Sequence, residues 1–170
     1  MATSIYQHSA VDTTGQSVEF TKYTGKVLIV VNVASECGLT KPNYKQLSEL
    51  YKKYRNRGLD IAAFPCNQFK NQEPLPALKV KNNVSYKYHF KPDFYEKIDV
   101  NGDNAHPIFK YLKEKTNLRN VKWNFTKFLI NRQGDIIDVF GPTFQPKNME
   151  DDIVKALETT DYVKDKKAKL

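Results

Sequence analysis

The chain has 170 residues, of which 40% are hydrophobic and 12% aromatic, an ordinary composition for a globular protein. No run approaches the ~18 apolar residues of a membrane span, and two cysteines are too few for a disulfide framework. The formal net charge is +8, but no nucleic-acid motif accompanies it, so nucleic acid is not an expected partner. We expect one domain over residues 1–170, with 164–170 as a flexible basic tail.

The first elements follow in chain order. Residues 6–20 indicate a β-hairpin that turns at Thr14-Gly15. Residues 27–34 are almost entirely apolar and β-branched, as is typical of a strand covered on both faces. Residues 43–57 carry apolar side chains at helical spacing up to Gly58, and residues 59–64 form a second buried strand. This order predicts a parallel β-α-β unit with a right-handed crossover.

The second half of the chain is less regular. Pro74, Pro76 and Pro92 punctuate residues 75–95, for which we expect a short irregular helix. A strand at 98–100, a helix at 107–114, a hairpin of strands 125–131 and 135–140, and a helix at 149–159 follow. The sum predicts an α/β protein with a thioredoxin-like fold, in which helices flank a central mixed β-sheet and a β-hairpin precedes it.

Cys37 is the candidate nucleophile. It lies between strand 27–34 and a helix predicted to begin near Thr40, where unpaired N–H groups and the helix dipole stabilise thiolate over thiol. A dithiol reductase would have a second cysteine at position 40, but that residue is threonine. The pattern therefore favours chemistry at one sulfur, such as peroxide reduction, glutathione exchange or acyl transfer. The alternative is a buried structural thiol.

Three motifs occur in order along the chain. They are Val31-Asn-Val-Ala-Ser-Glu-Cys37-Gly-Leu-Thr40, then Phe64-Pro-Cys-Asn-Gln-Phe69 with Asn71-Gln-Glu-Pro74, and finally Lys122-Trp-Asn-Phe-Thr-Lys-Phe128. Together they resemble the signatures of the glutathione peroxidase family over about residues 6–160.

The resemblance implies a thiol-dependent peroxidase that reduces hydrogen peroxide, organic hydroperoxides and phospholipid hydroperoxides. It also implies a catalytic tetrad of Cys37, Gln72, Trp123 and Asn124. Cys37 would attack the peroxide and become a sulfenic acid, while the amides and the indole donate hydrogen bonds. Glutathione or another external thiol would then restore Cys37, and no metal or other cofactor is expected.

The chain departs from many cysteine-type relatives, because residues 75–86 contain no resolving cysteine. The other thiol, Cys66, lies inside the second motif and is interpreted as structural. We therefore expect an external thiol as the reductant. A thioredoxin-dependent cycle through a Cys37–Cys66 disulfide, a peroxide sensor and a thiol-exchange protein stay open as alternatives. Selenocysteine members of the family also lack the resolving cysteine, so Cys37 is either native or a replacement for selenocysteine.

The sequence also gives expectations about oligomeric state, membrane contact and cellular location. The short segment before Trp123 resembles the monomeric, phospholipid-hydroperoxide type of the family, so we expect a monomer. The basic surface favours transient contact with anionic membranes. No secretory signal is recognised, which favours the cytoplasm. The final residues Ala168-Lys169-Leu170 resemble a peroxisomal address, so the peroxisome is a second candidate compartment.

Overall fold

A β-hairpin opens the part of the chain, residues 4–164, that this computed structural model describes. Strands β1 (Ser9–Val11) and β2 (Ser17–Glu19) pair antiparallel. The Asp12 carboxylate accepts the backbone N–H groups of Thr14 and Gln16 at 2.8 and 3.1 Å, and Gly15 takes φ +86°. These contacts close the turn at Thr14-Gly15 and confirm the predicted hairpin.

A five-stranded mixed sheet forms the centre of the molecule. Its strands are β3 (Val27–Val33), β4 (Leu59–Pro65), β5 (Asp93–Phe94), β6 (Lys127–Ile130) and β7 (Ile136–Phe140), in the order β5-β4-β3-β6-β7. Strand β3 pairs parallel with β4 and antiparallel with β6. All seven residues of β3 are buried, which confirms that its apolar run is covered on both faces.

Helices cover both faces of this sheet. They are α1 (Thr40–Tyr54), α2 (Ala77–Tyr88), α3 (Pro107–Lys115) and α4 (Glu150–Glu158). Side chains of α1, α2 and α4 pack with alternate residues of β3, such as Ile29 and Val31, in what we call the first core. Residues of α3 and the hairpin pack with Leu28 and Val30 in the second core. The alternation of strand side chains thus divides the interior into two layers.

The structure corrects two expectations. Residues 75–95 hold a regular 12-residue helix, α2, rather than a short irregular one. Pro76 occupies its N-cap and Pro92 lies beyond its end, so neither interrupts the helix, and the two-residue strand β5 follows. The strand expected at 98–100 is absent. The N–H of Val100 donates to the Gln68 side chain at 2.7 Å instead of joining a strand.

Helix α1 begins at Thr40, three residues before the apolar pattern indicated, because Pro42 is tolerated in a first turn. No helix within residues 4–164 is long and apolar enough to cross a bilayer. The basic tail and Ala168-Lys169-Leu170 fall almost wholly outside the described residues, and the single domain stays a prediction.

Candidate active site

Cys37 lies in the short connection between β3 and α1. Its partly exposed Sγ accepts the backbone N–H of Leu39 at 3.4 Å. Its own N–H donates to Thr40 Oγ1 at 3.2 Å, and that hydroxyl donates to the Ala34 carbonyl at 2.7 Å. The sulfur therefore stands at the N-terminal end of a 15-residue helix, as the sequence predicted. A backbone donor and a positive helix end both favour negative charge on sulfur.

The second motif lies directly against this connection. The backbone carbonyl of Gln72 accepts the N–H groups of Ser35 and Glu36 at 3.2 and 3.0 Å. The chain reaches this position through two consecutive left-handed residues, Lys70 with φ 55° and Asn71 with φ 53°. This backbone turn brings Gln72 beside the residues that precede Cys37.

Asn124 and Trp123 come from the loop before β6. Asn124 is fully buried, and its Nδ2 donates to Gln72 Oε1 at 2.8 Å. The Trp123 carbonyl accepts from the Asn32 side chain in β3 at 3.1 Å, and its indole packs on Phe69 with ring centroids 5.4 Å apart. Hydrogen bonds thus connect Gln72, Asn124 and the Cys37 loop, whereas the described ring contact of Trp123 is with the second motif.

Glu73 is a site residue that the sequence reasoning missed. It is completely buried, and Oε1 accepts the Ser35 hydroxyl at 2.6 Å. Within the described residues, Oε2 has no hydrogen-bond partner. Burial raises the pKa of this carboxyl to about 7, against the lowering effect of the Ser35 bonds. No feature of the linear sequence marks this glutamate as buried, since glutamates almost always lie at the surface.

A buried lysine supports the start of α1. Lys127 Nζ donates to the carbonyls of Gly141 and Phe144 at 2.9 and 2.7 Å and to Asn43 Oδ1 at 3.3 Å. Burial lowers the pKa of Lys127 to about 7, while its oxygen acceptors, which also include the Pro142 carbonyl at 3.5 Å, favour the charged form. The lysine joins α1 to the loop after β7, so it holds the helix end that faces Cys37.

The two cysteines lie on different faces of the sheet. Cys37 packs against the first core, and the completely buried Cys66 belongs to the second core. Both are free thiols, and burial raises the pKa of Cys66. Residues 4–164 contain no cluster of three histidine, cysteine or acidic side chains that could hold a metal ion.

A partly exposed thiol at a helix N-terminus, on a mixed sheet covered by helices, is typical of thiol-dependent redox enzymes. The model of the family described as glutathione peroxidase matches residues 5–113. Glutathione peroxidase 1 of Caenorhabditis elegans is 50% identical over 157 residues, which cover 91% of this chain and 96% of the relative. The chain belongs to the glutathione peroxidase family.

Further relatives agree with this assignment. A Nicotiana sylvestris protein named "Probable phospholipid hydroperoxide glutathione peroxidase" is 47% identical, covering 91% of this chain and 93% of its own. The crystal structure of Trgpx in apo form has a TM-score of 0.77 and 35% identity, covering 94% and 99%. A thioredoxin family protein from Chlorobium tepidum has a TM-score of 0.63 at 16% identity, covering 88% and 92%, which confirms the thioredoxin-like fold.

Membership of this family establishes which reaction the protein catalyses. The protein is an enzyme that reduces peroxides with electrons from a thiol, and glutathione or a thioredoxin-type protein supplies those electrons in this family. Its substrates are hydroperoxides.

Proposed function

We propose that Cys37 is the peroxidatic residue and that Gln72, Trp123 and Asn124 complete its site. The observation that carries this proposal is the hydrogen-bonded path from the Cys37 loop through Gln72 to Asn124. The Gln72 carbonyl binds the Ser35 and Glu36 N–H groups, and its side chain binds Asn124. Two buried or half-buried amides beside a thiol supply donors that stabilise anions without reacting with peroxide.

In the first half-reaction, the Cys37 thiolate attacks one oxygen of the hydroperoxide. The S–O bond forms as the O–O bond breaks, and the leaving alkoxide takes a proton to become an alcohol, or water when the substrate is hydrogen peroxide. Gln72 Oε1 is occupied by Asn124, which leaves both hydrogens of its Nε2 to donate to developing negative charge. Asn124 therefore acts on the reaction by fixing the orientation of Gln72.

In the second half-reaction, two thiols restore Cys37. The first attacks the sulfenic sulfur, forms a mixed disulfide and releases water. The second attacks the mixed disulfide, forms the oxidised disulfide of the reductant and releases the Cys37 thiolate. Two electrons thus pass from two thiols to one peroxide.

The reductant of this chain is proposed to be glutathione or another external thiol. Cys66 is the other thiol, and it is buried in the second core behind the sheet from Cys37. An internal disulfide would require the ends of β3 and β4 to open, whereas a small thiol needs only the exposed side of Cys37. A thioredoxin-dependent cycle with Cys66 as resolving residue is the competing candidate.

We also propose a substrate class, a membrane contact, an oligomeric state and a cellular location for the protein. We propose that phospholipid hydroperoxides are among the substrates, as the name of the Nicotiana relative indicates for that protein. Lysines of α2, such as Lys79 and the exposed Lys87, favour transient contact with anionic lipid. A monomer acting in the cytoplasm is the proposed working form, and peroxisomal location stays a prediction.

Intact mass spectrometry tests the assignment. The reduced wild type, Cys37→Ser and Cys66→Ser each receive one equivalent of a lipid hydroperoxide without reductant. We expect the wild type and Cys66→Ser to gain oxygen on Cys37, and Cys37→Ser to gain none. Loss of two hydrogens in the wild type would establish Cys66 as resolving residue. Equal oxidation of Cys37→Ser would contradict the assignment of Cys37.

A further inference from the structure

The leaving alkoxide needs a proton, and the side chains of Gln72, Trp123 and Asn124 have none to release, because carboxamides and the indole N–H do not titrate at neutral pH. Cys37 reacts as the thiolate and has already lost its own proton. The cycle described above therefore leaves the source of this proton open. The carboxyl of Glu73, which has no role in that cycle so far, lies in direct contact with the Cys37 loop.

Two bonds hold Ser35 of this loop against the second motif. Its hydroxyl lies 2.6 Å from Glu73 Oε1, and its N–H donates to the Gln72 carbonyl at 3.2 Å. The Glu73 N–H in turn donates to Asn67 Oδ1 at 2.8 Å. These bonds fix the carboxyl and the hydroxyl against each other, inside the motif that carries Gln72.

Ser35 also reaches the space beside the reactive sulfur. It is half-buried and lies two residues before Cys37 in the chain. It lines a cavity of about 350 Å³ together with Thr40, whose Oγ1 accepts the Cys37 N–H at 3.2 Å. Glu73 itself is completely buried. Ser35 is thus the link between a buried acid and the space next to Cys37.

The surroundings of Glu73 favour its protonated form. Oε2 has no hydrogen-bond partner within residues 4–164, and the carboxyl makes no ion pair with another described residue. A buried charge without such partners is costly, so the carboxyl holds its proton. Burial accordingly raises the pKa of Glu73 to about 7, and an acid transfers protons most effectively when its pKa lies near the working pH.

Four other titratable side chains lie within electrostatic reach of Glu73. Burial has the largest effect on the pKa of Glu73, while Lys97 lowers this pKa and the exposed Glu36 raises it. Burial raises the pKa values of Tyr44 and Cys66, so both are neutral at neutral pH. Burial thus moves these two groups away from the neutral range and brings Glu73 into it.

We propose that Glu73 supplies the proton that the leaving alkoxide takes, and that it does so through the hydroxyl of Ser35. A hydroxyl both donates and accepts, so the protonated carboxyl donates to Ser35 Oγ while the Ser35 hydroxyl donates to the alkoxide. The inference rests on the proposed function, since it names the source of a proton in that cycle.

The step balances within the cycle. The alkoxide takes the proton of the Ser35 hydroxyl as Ser35 takes the proton of Glu73, which leaves a carboxylate on Glu73. In the second half-reaction, the second thiol loses its proton when it attacks the mixed disulfide, and this proton returns to Glu73. One peroxide and two thiols thus give one alcohol, one water and one disulfide, and both Glu73 and Cys37 regain their starting forms.

Oxidants with different leaving groups distinguish a proton source from a structural contact. tert-Butyl hydroperoxide releases a strongly basic alkoxide, whereas peracetic acid releases acetate, which leaves as a stable anion. The reduced full chain is mixed with each oxidant, and oxygen gained on Cys37 is followed by quenched-flow mass spectrometry. The variants are Glu73→Gln, Ser35→Ala and Ser35→Thr, and the control is Glu114→Gln at an exposed position of α3.

We expect Glu73→Gln and Ser35→Ala to slow oxidation by tert-butyl hydroperoxide on the order of 10- to 100-fold at about pH 6. Oxidation by peracetic acid should stay within about twofold of the wild type, because acetate needs no proton. Ser35→Thr keeps the hydroxyl and should keep the wild-type rate, as should Glu114→Gln. The advantage of the wild type over Glu73→Gln should shrink above neutral pH, because a pKa of about 7 means that Glu73 then loses its proton.

Three results would overturn the inference while leaving Cys37 as the peroxidatic residue. They are an unchanged rate with tert-butyl hydroperoxide in Glu73→Gln, equal slowing with both oxidants, and a wild-type rate in Ser35→Ala. Ser35→Ala alone decides between these outcomes if Glu73→Gln does not fold. Failure of the wild type to gain oxygen on Cys37 with either oxidant would overturn the proposed function, and this inference with it.

Discussion

Replacing Glu73 with glutamine should flatten the pH dependence of stability near neutrality. The carboxyl is completely buried, and burial raises its pKa from an ordinary 4.5 to about 7 in the folded protein. Below about pH 4.5 the group is protonated in both states and adds no pH dependence. As pH rises from 4.5 towards 7, the unfolded chain releases the proton while the folded protein keeps it. The free energy of unfolding therefore falls with rising pH across this window.

The gap between the two pKa values sets the size of the effect. It corresponds to about 3 kcal/mol in full, of which about 2.5 kcal/mol falls between pH 5 and pH 8. Glu73→Gln keeps an oxygen to accept the Ser35 hydroxyl but cannot ionise. Urea unfolding at pH 5, 6, 7 and 8 should show the wild type losing about 2.5 kcal/mol more than the variant over this range.

The comparison is made within each protein between pH values, so a constant offset from the new amide group does not matter. Other groups with shifted pKa values, such as Lys127, are present in both proteins and cancel. The exposed Glu114 provides the control, and Glu114→Gln should follow the wild-type curve. If the wild type and Glu73→Gln differ by less than about 0.5 kcal/mol in their pH dependence, the argument from burial is refuted.

Three further substitutions test the site and the fold. Trp123→Phe keeps an aromatic ring but removes the indole N–H. It should slow peroxide-driven oxidation of Cys37 on the order of 10- to 100-fold, measured by quenched-flow mass spectrometry. An unchanged rate would remove Trp123 from the site. Asn32→Val leaves the Thr126 N–H without its partner and removes one of the two donors to the Trp123 carbonyl, which keeps the Thr126 hydroxyl. It should lower the free energy of unfolding by about 1–3 kcal/mol in urea; a loss below about 0.5 kcal/mol would show that water replaces the lost bonds. Gly134→Ala should cost about 2 kcal/mol or more by the same assay, because Gly134 has φ +89° and a Cβ would lie 2.7 Å from the Tyr6 ring; wild-type stability would mean that the ring moves freely.

The strands and helices with a clear apolar pattern could be predicted, because that pattern depends only on which side chains are buried. The seven-residue strand β3 is apolar except for Asn32, and such a run has few alternatives to a strand covered on both faces. Helix α2 was harder, because the prolines around it suggest interruption although they lie outside its ends. Strand β5 has two residues, too few to show any period. At 98–100 the Val100 N–H donates to the Gln68 side chain, a partner 32 residues away in the chain, and the Ile98 N–H donates to the Pro65 carbonyl.

The residues of the candidate site that stand in motifs could be proposed from the sequence, whereas those defined only by packing could not. Cys37 and Gln72 stand in motifs, and the structure joins their loops by hydrogen bonds. Glu73 stands in the same motif, yet its importance comes from complete burial against Ser35. Lys127 is a similar case, since a lysine in a strand gives no sign that four oxygens surround its Nζ. Such contacts depend on how distant loops meet, which the periodicity of one segment does not record.

The two cysteines show how the fold assigns different chemistry to the same side chain. Both follow a central parallel strand at its carboxyl end, Cys37 four residues after β3 and Cys66 directly after β4. Cys37 reaches the start of α1, where it is partly exposed and accepts a backbone N–H. Cys66 turns into the second core, where burial raises its pKa and holds it as the neutral thiol. The sheet separates the two sulfurs, and this separation supports the proposal that a thiol from outside the chain, rather than Cys66, restores Cys37.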